Sequence, residues 1–360
     1  MKGRTFLNHT REAVSLKDLL LTHTIEGPLF ETMENDWIRC LACGHRCKLP
    51  SGKDGICRVR YNNNGKLFVP DGYVGGVGLD PIEKKPFFHA YPGERALSFG
   101  MLGCNFRCPF CQNWVTSQVL RDPDAIAHPE FLTPEQFVES AVRSKARAVT
   151  STYNEPLITV EWAVKIFKLA KAKNLATSIV SNGNGTPEVI EYLAPWLDLA
   201  KIDLKSFRQK EYATFGGVLK NVLETIKLIY QKGIWLEIVT LVVPQMNDSD
   251  EELRDIAEFV ASVSPDIPWH VTSFHSDYKM TGRGSTPAST LMKAVAIGKK
   301  AGLKFVYTGN LPGETGNLES TFCPACNTLL IERQGYRIIH QWVTNGMCYK
   351  CNLKIPGRWT

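Results

Sequence analysis

Eleven cysteines fall in three groups along the 360 residues, and their spacing is the chemistry to explain first. The middle group is Cys104, Cys108 and Cys111, in the segment SFGMLGCNFRCPFCQNW (98–114). Three thiolates packed into one short loop can bind three irons of a 4Fe–4S cube and leave the fourth without a cysteine. A closed structural site supplies four ligands, so three imply an open position for an exogenous molecule. The alternative is a zinc ion completed by a distant His or Asp.

The two outer groups read differently. Cys323-Pro-Ala-Cys326 and Cys348-Tyr-Lys-Cys351 are two Cys-x2-Cys knuckles separated by 21 residues of β-rich text such as LLIERQGYRIIHQW. That is the pattern of a zinc ribbon. Cys40, Cys43, Cys47 and Cys57 also open on a Cys-x2-Cys turn, and the later pair can close a tetrahedron. Zinc is the expectation there too, with an auxiliary iron–sulfur cluster as the alternative and His45 able to replace a cysteine. Two zinc ions per chain follow.

An odd cysteine count excludes complete disulfide pairing. The opening MKGRTFLNHTREAV is polar, without an apolar signal core. The expected compartment is the reducing cytoplasm, where clustered cysteines bind metals. The longest strongly apolar run, 234–243, is interrupted by Glu237 and is too short to span a bilayer, so no membrane partner is expected. With 44% apolar and 22% charged residues, the chain is not a disordered one.

What must position the middle cysteines is a run of alternating strands and helices. Short apolar stretches at 96–100, 148–152, 177–181, 200–204, 234–243, 270–274 and 304–308 read as buried strands. Between them lie amphipathic helices. One places Val218, Val222, Ile226 and Ile229 on a single face. Another opens on a capping box, Ser249 with Glu252, and buries Leu253, Ile256 and Val260. This order predicts an α/β fold with a parallel sheet and helices outside it, either a (β/α) barrel or a doubly wound sheet. In a barrel, function gathers at the C-terminal ends of the strands. Polar or reactive residues stand at those ends: Cys104, then Asn154 and Glu155, then Ser181-Asn182-Gly183, then Asp203 and Lys205.

The chain divides into an N-terminal extension (1–36) with at most one helix, around 15–21, a four-cysteine module (37–66), a connecting segment (67–95), a core barrel (96–310) and the C-terminal ribbon (318–360). The stretch GYVGGVGLD (72–80) is read as connection, since no helix signal follows its glycines.

The loop Cys104-x3-Cys108-x-Phe110-Cys111 resembles the cluster motif of the radical S-adenosylmethionine (SAM) superfamily, over most of residues 98–308. The resemblance implies a partial (β/α)6-type TIM barrel, a 4Fe–4S cluster and SAM chelated to the open iron. It also implies cleavage to a 5′-deoxyadenosyl radical that takes hydrogen from a substrate, with Cys104, Cys108 and Cys111 as the catalytic loop. Carried over residue by residue, Glu155 in Tyr153-Asn154-Glu155-Pro156 accepts the SAM ammonium beside Asn154. Asp203 and Lys205 reach its ribose and carboxylate, Ser181 and Asn182 stand for a Thr-Asn-Gly element, and Phe110 packs near the adenine. The double glycine of similar enzymes is replaced here by Tyr153-Asn154.

The run CxxCxHxC…GxxGxCxVR, followed by PIEKKPFFHAYPG (81–93), GCNFRCPFCQNW and TYNEP, resembles the radical SAM member of the AmmeMemoRadiSam system, related to pyruvate formate-lyase activating enzyme. That implies AMMECR1-like and Memo-like partners and a flavodoxin- or ferredoxin-type electron donor. Candidate groups facing cofactor or substrate are Glu83, Lys84, Lys85, His89 and His270, with Arg283 and Tyr307 as weaker ones. A glycyl-radical-enzyme activase is the alternative function. RNA modification is the second, because 37–66 and 333–360 carry charges of +6 and +5 while the rest is slightly acidic. No aromatic-basic stripe accompanies those charges, and Lys and Arg flanking thiolate–metal sites account for them equally well.

Overall fold

The computed structural model describes residues 14–360. The polar opening through residue 13, and with it the first third of the N-terminal extension, lies outside the described residues. At the centre is an eight-stranded sheet: β1 (Gly76–Pro81), β2 (Arg95–Gly100), β3 (Ala148–Ser151), β4 (Ala176–Ser181), β5 (Leu199–Asp203), β6 (Trp235–Val242), β7 (Trp269–Ser273) and β8 (Val306–Gly309). Strands β2 to β8 pair in chain order and all are parallel, whereas β1 pairs antiparallel with β2. Sequential order with one direction of winding selects the barrel over the doubly wound sheet. The first and last strands do not pair, so the barrel is open.

Six helices alternate with the parallel strands: α1 (Pro134–Arg143), α2 (Val160–Ala172), α3 (Pro187–Leu193), α4 (Leu219–Gln231), α5 (Asp250–Val263) and α6 (Ala288–Lys300). Local sequence accounts for them. Thr133 and Gln136 form a full capping box at α1, and Thr186 caps α3 ahead of Pro187. Val222, Ile226 and Ile229 form the buried stripe of α4; Val218 precedes the helix and is exposed. The expected capping box of α5 forms only in half. Ser249 accepts from the Glu252 amide, but the Glu252 carboxylate turns away to Ser206 Oγ and the Phe207 amide, both at 2.6 Å. Those two donors belong to the segment after β5, so a tertiary contact wins over the local one.

Residues before the barrel are more ordered than a connection. Thr24–Glu26, Lys66–Pro70 and Tyr61–Asn63 form one three-stranded sheet, and Phe30–Thr32, Ile38–Cys40 and Lys48–Leu49 form another. The stretch GYVGGVGLD (72–80), read as connection, holds all of β1 but its last residue. A buried ion pair ties this N-terminal region to the barrel wall: Arg60 Nη1 and Nη2 lie 2.7 and 2.8 Å from the carboxylate oxygens of Glu161 on α2. The fork matches the carboxylate geometry, which is how a buried arginine offsets its desolvation.

The C-terminal strands Thr321–Phe322, Leu329–Gln334 and Arg337–Gln341 form an antiparallel sheet. It shares a core with Phe88, Phe305 and Tyr307 of the barrel side. Arg333, buried, donates to the Phe88 carbonyl (2.7 Å) and to Thr321 Oγ1 (2.6 Å). Among the described residues, no helix is long and apolar enough to cross a membrane.

Candidate functional site

The loop after β2 is held by close backbone approach. A Cβ on Gly100 would lie 2.5 Å from the Thr152 carbonyl, so only glycine lets the loop cross the end of β3. Gly103 has φ +86°, and a Cβ there would lie 2.8 Å from the Cys57 carbonyl. Met101 N donates to Asn154 Oδ1 (3.1 Å), Gln118 Nε2 to the Phe106 carbonyl (3.0 Å), and Arg121 Nη2 to the Cys104 carbonyl (2.6 Å). The three thiols therefore project from a rigid loop.

Cys108 is buried; Cys104 and Cys111 are half-buried. Burial pushes Cys108 up to about 12, with the Lys205 ammonium pulling the other way, and burial raises Cys104 and Cys111 as well. Thiols in such a setting bind as thiolates only if positive charge arrives with the ligand. The Phe106 amide points at Cys104 Sγ (3.4 Å), and Ser117 Oγ lies 3.3 Å from Cys111 Sγ. Asn105 Nδ2 beside Cys104 is buried without a partner. Three convergent sulfurs, donors aimed at them and one orphaned amide suit an iron–sulfur cluster.

Glu155 is sealed at 1% exposure. It accepts from Ser181 Oγ (2.7 Å), Asn182 N (2.8 Å) and Leu157 N (3.0 Å), joining the end of β3 to the end of β4. Burial pushes its carboxyl up to about 7, against the pull of those three donors. Asn182 Nδ2 in turn donates to Asn105 Oδ1 (2.7 Å), reaching the cluster loop. Tyr153 has φ +68°, a left-handed conformation that costs a side chain free energy. Its hydroxyl meets Lys85 Nζ at 3.1 Å. Asp203 Oδ2 and Lys205 Nζ lie 2.7 Å apart at the end of β5. Phe110 packs edge-on against Phe215 with ring centroids 5.3 Å apart.

All eleven side chains expected at the cluster and cofactor site line one cavity of about 380 Å³: Cys104, Cys108, Phe110, Cys111, Asn154, Glu155, Ser181, Asn182, Asp203, Lys205 and His270. Glu83, Lys84 and Lys85 line it too. Glu83 accepts from Gly93 N through Oε1 (2.8 Å), while its buried Oε2 has no partner, and burial pushes the carboxyl up to about 6. His270 Nε2 donates to Glu237 Oε2 (2.7 Å).

Three expected groups are placed elsewhere. His89 is locked between the Pro356 carbonyl (Nδ1, 2.7 Å) and the Tyr307 hydroxyl (Nε2, 2.6 Å), and Tyr307 also meets Thr321 Oγ1 at 2.9 Å. Both belong to the joint between barrel and C-terminal sheet. Arg283 donates to the Pro244 carbonyl (2.6 Å). Conversely, Tyr336, in the turn between the last two strands, lines the cavity, and no sequence signal marked it.

The C-terminal cysteines form a compact set: all four ligand atoms lie within 4.8 Å of one another, with Cys323–Cys351 and Cys326–Cys348 sulfur separations of 3.6 and 3.7 Å. Thiolates 2.3 Å from a tetrahedral zinc ion stand about 3.8 Å apart. In the N-terminal group, His45 Nδ1 lies 3.5 Å from Cys43 Sγ and 3.1 Å from Asn184 Nδ2, and its Nε2 meets the Gly216 carbonyl.

The model of the radical SAM superfamily matches residues 100–260. An uncharacterized protein of Methanocaldococcus jannaschii is 38% identical over 334 residues, covering 92% of this chain and 98% of that protein. A putative glycyl-radical enzyme activating enzyme of the same organism is 29% identical over 179 residues, 47% of this chain and 70% of that one. The pyruvate formate-lyase 1-activating enzyme of Escherichia coli is 24% identical over 233 residues, 60% of this chain and 93% of that one.

Proposed function

Because the chain belongs to the radical SAM superfamily, we propose that Cys104, Cys108 and Cys111 hold a 4Fe–4S cluster whose fourth iron takes SAM, and that the cavity behind them holds the substrate. When bound, the reduced cluster and SAM supply a 5′-deoxyadenosyl radical able to take a hydrogen atom from a substrate. The observation that carries this reading is the convergence of all eleven expected side chains on one cavity.

This chain's residues would divide the remaining work. Glu155 keeps the ends of β3 and β4 together and has one lone pair left over for an ammonium. Asp203, already accepting from Lys205, offers its other oxygen to a ribose hydroxyl, and Lys205 offers its free N–H groups to a carboxylate. Phe110, braced by Phe215, makes an apolar wall for a purine. The cavity then continues toward Lys85, Glu83 and His270, which gives the substrate end both signs of charge and a neutral imidazole. The sheet walls this space on one side, and a reactive radical requires that water be kept from it. The C-terminal thiolates hold a zinc ion in this reading.

The resemblance of the N-terminal and 81–93 segments supports AMMECR1-like and Memo-like partners. A second reading, activation of a glycyl radical enzyme, is favoured by the similarity to activating enzymes. A glycyl-radical EPR signal arising in a partner would select it. The primary test is anaerobic: reduced protein with SAM is expected to release 5′-deoxyadenosine, and Cys108→Ala is expected to release none. Wild-type rates from that variant would falsify the reading.

A further inference from the structure

The four N-terminal cysteines surround one spot. Cys40 ends a strand, Cys43 lies in the bend after it, Cys47 directly precedes the strand that pairs back, and Cys57 returns beside them. A Cβ built on Gly55 would lie 3.6 Å from Cys47 Sγ and 3.8 Å from Cys57 Sγ. Cys40 N donates to the Cys47 carbonyl (2.9 Å), which holds the first and third cysteines side by side. Cys40, Cys43 and Cys57 are buried and Cys47 is half-buried.

Their spacing separates two kinds of occupant. Four sulfurs on one zinc ion stand about 3.8 Å apart, and the C-terminal set meets that. Among the described residues, that set is the only group of three or more metal-ligating side chains gathered within 4.8 Å. The N-terminal four converge without gathering so tightly, as do Cys104, Cys108 and Cys111. Sulfurs that each bond a different iron at the corners of a cube must stand further apart than sulfurs sharing one ion. The chain thus contains one set with ion spacing and two with wider spacing.

The site also abuts the cluster loop: Arg121 Nη2 bridges the carbonyls of Ile56 and Cys104.

We propose that Cys40, Cys43, Cys47 and Cys57 hold a second 4Fe–4S cluster in place of the zinc ion that their sequence spacing suggests. This does not depend on the SAM reading, since different residues carry it.

The test is metal content of the full chain purified without oxygen and desalted, with no added iron. In a Cys104→Ala/Cys108→Ala/Cys111→Ala variant, about four iron with matching sulfide and about one zinc should remain. Dithionite should bring up a spin-half EPR signal. About two zinc and no iron would overturn the proposal. Should that variant fold poorly, Cys40→Ala/Cys43→Ala with the loop intact decides: iron should fall from about eight to about four per chain with zinc unchanged. A loss of zinc with iron steady at about four overturns it. Wild-type protein with about eight iron but no 5′-deoxyadenosine would sink the SAM reading and support this one.

Discussion

Glu237 Oε2 and His270 Nε2 lie 2.7 Å apart on neighbouring strands, both closed off from solvent. The carboxylate also accepts from the amides of Phe88 and His89 and from Trp235 Nε1. Burial, helped by the Lys201 charge, pulls His270 down to about 3, and burial pulls His89 down to about 4. Unfolded histidine titrates near 6.5. The unfolded chain therefore binds more protons below that value, and stability falls as pH drops from about 6.5 toward 4. Glu237 acts in the same direction at lower pH: burial pushes it up, but His270, Lys201 and His89 together hold it below the ordinary carboxyl range. Urea unfolding at pH 7 and pH 5 should differ by about 1–2 kcal/mol per histidine. His270→Gln should be less sensitive to that change; an identical pH dependence would rule out the assignment.

Removing the ammonium beside Asp203 tests the cofactor end of the cavity. Lys205→Ala should weaken SAM binding by roughly 10- to 100-fold, the worth of a charged hydrogen bond, with iron content unchanged. Titration of the reduced cluster's EPR signal with SAM measures this. Unaltered affinity removes Lys205 from the site.

Gly100→Ala puts a methyl 2.5 Å from the Thr152 carbonyl and 2.7 Å from Tyr153 Cβ. Backbone cannot give as a side-chain tip can, so about 1–3 kcal/mol should be lost. Iron in the middle loop should fall with it, readable by thermal unfolding and metal analysis on the same sample.

Arg60→Ala leaves the Glu161 carboxylate buried and alone, at a cost of about 3–5 kcal/mol. The double change Arg60→Met/Glu161→Met should recover most of that loss, because an apolar pair of similar volume needs no compensation. A double variant as unstable as the single one would mean the pair is not what couples the N-terminal region to α2.

Cys326→Ala should release the C-terminal ion and open residues 318–360 to protease, since a small metal module takes much of its folding energy from the ion. Zinc should fall by about one per chain while iron stays constant. Equal protease resistance would show that the ribbon's shared core with Phe88 and Tyr307 suffices.

Much of the site was legible because its determinants are local. Cysteine spacing is a property of a short segment, and buried parallel strands read as apolar runs whatever surrounds them. All seven parallel strands lie where those runs are, and the polar residues at their C-terminal ends face one cavity. Strand β1 was not legible. Its glycines carry no strand preference, and Gly78 leaves room for the Tyr153 hydroxyl, which a Cβ there would approach to 2.5 Å. That contact crosses from β1 to the loop after β3, and no local pattern encodes it.

The same division runs through the chemistry. Residue type and spacing by themselves determined that three groups of thiolates exist and that one is a ligand short. They could not decide how far apart the sulfurs stand, because Cys-x2-Cys turns serve single ions and clusters alike. Nor could they tell His270, which faces the cavity, from His89, which is locked to Tyr307 and Pro356. Those distinctions depend on distances set by packing between segments remote in sequence. Only the tertiary structure decided them.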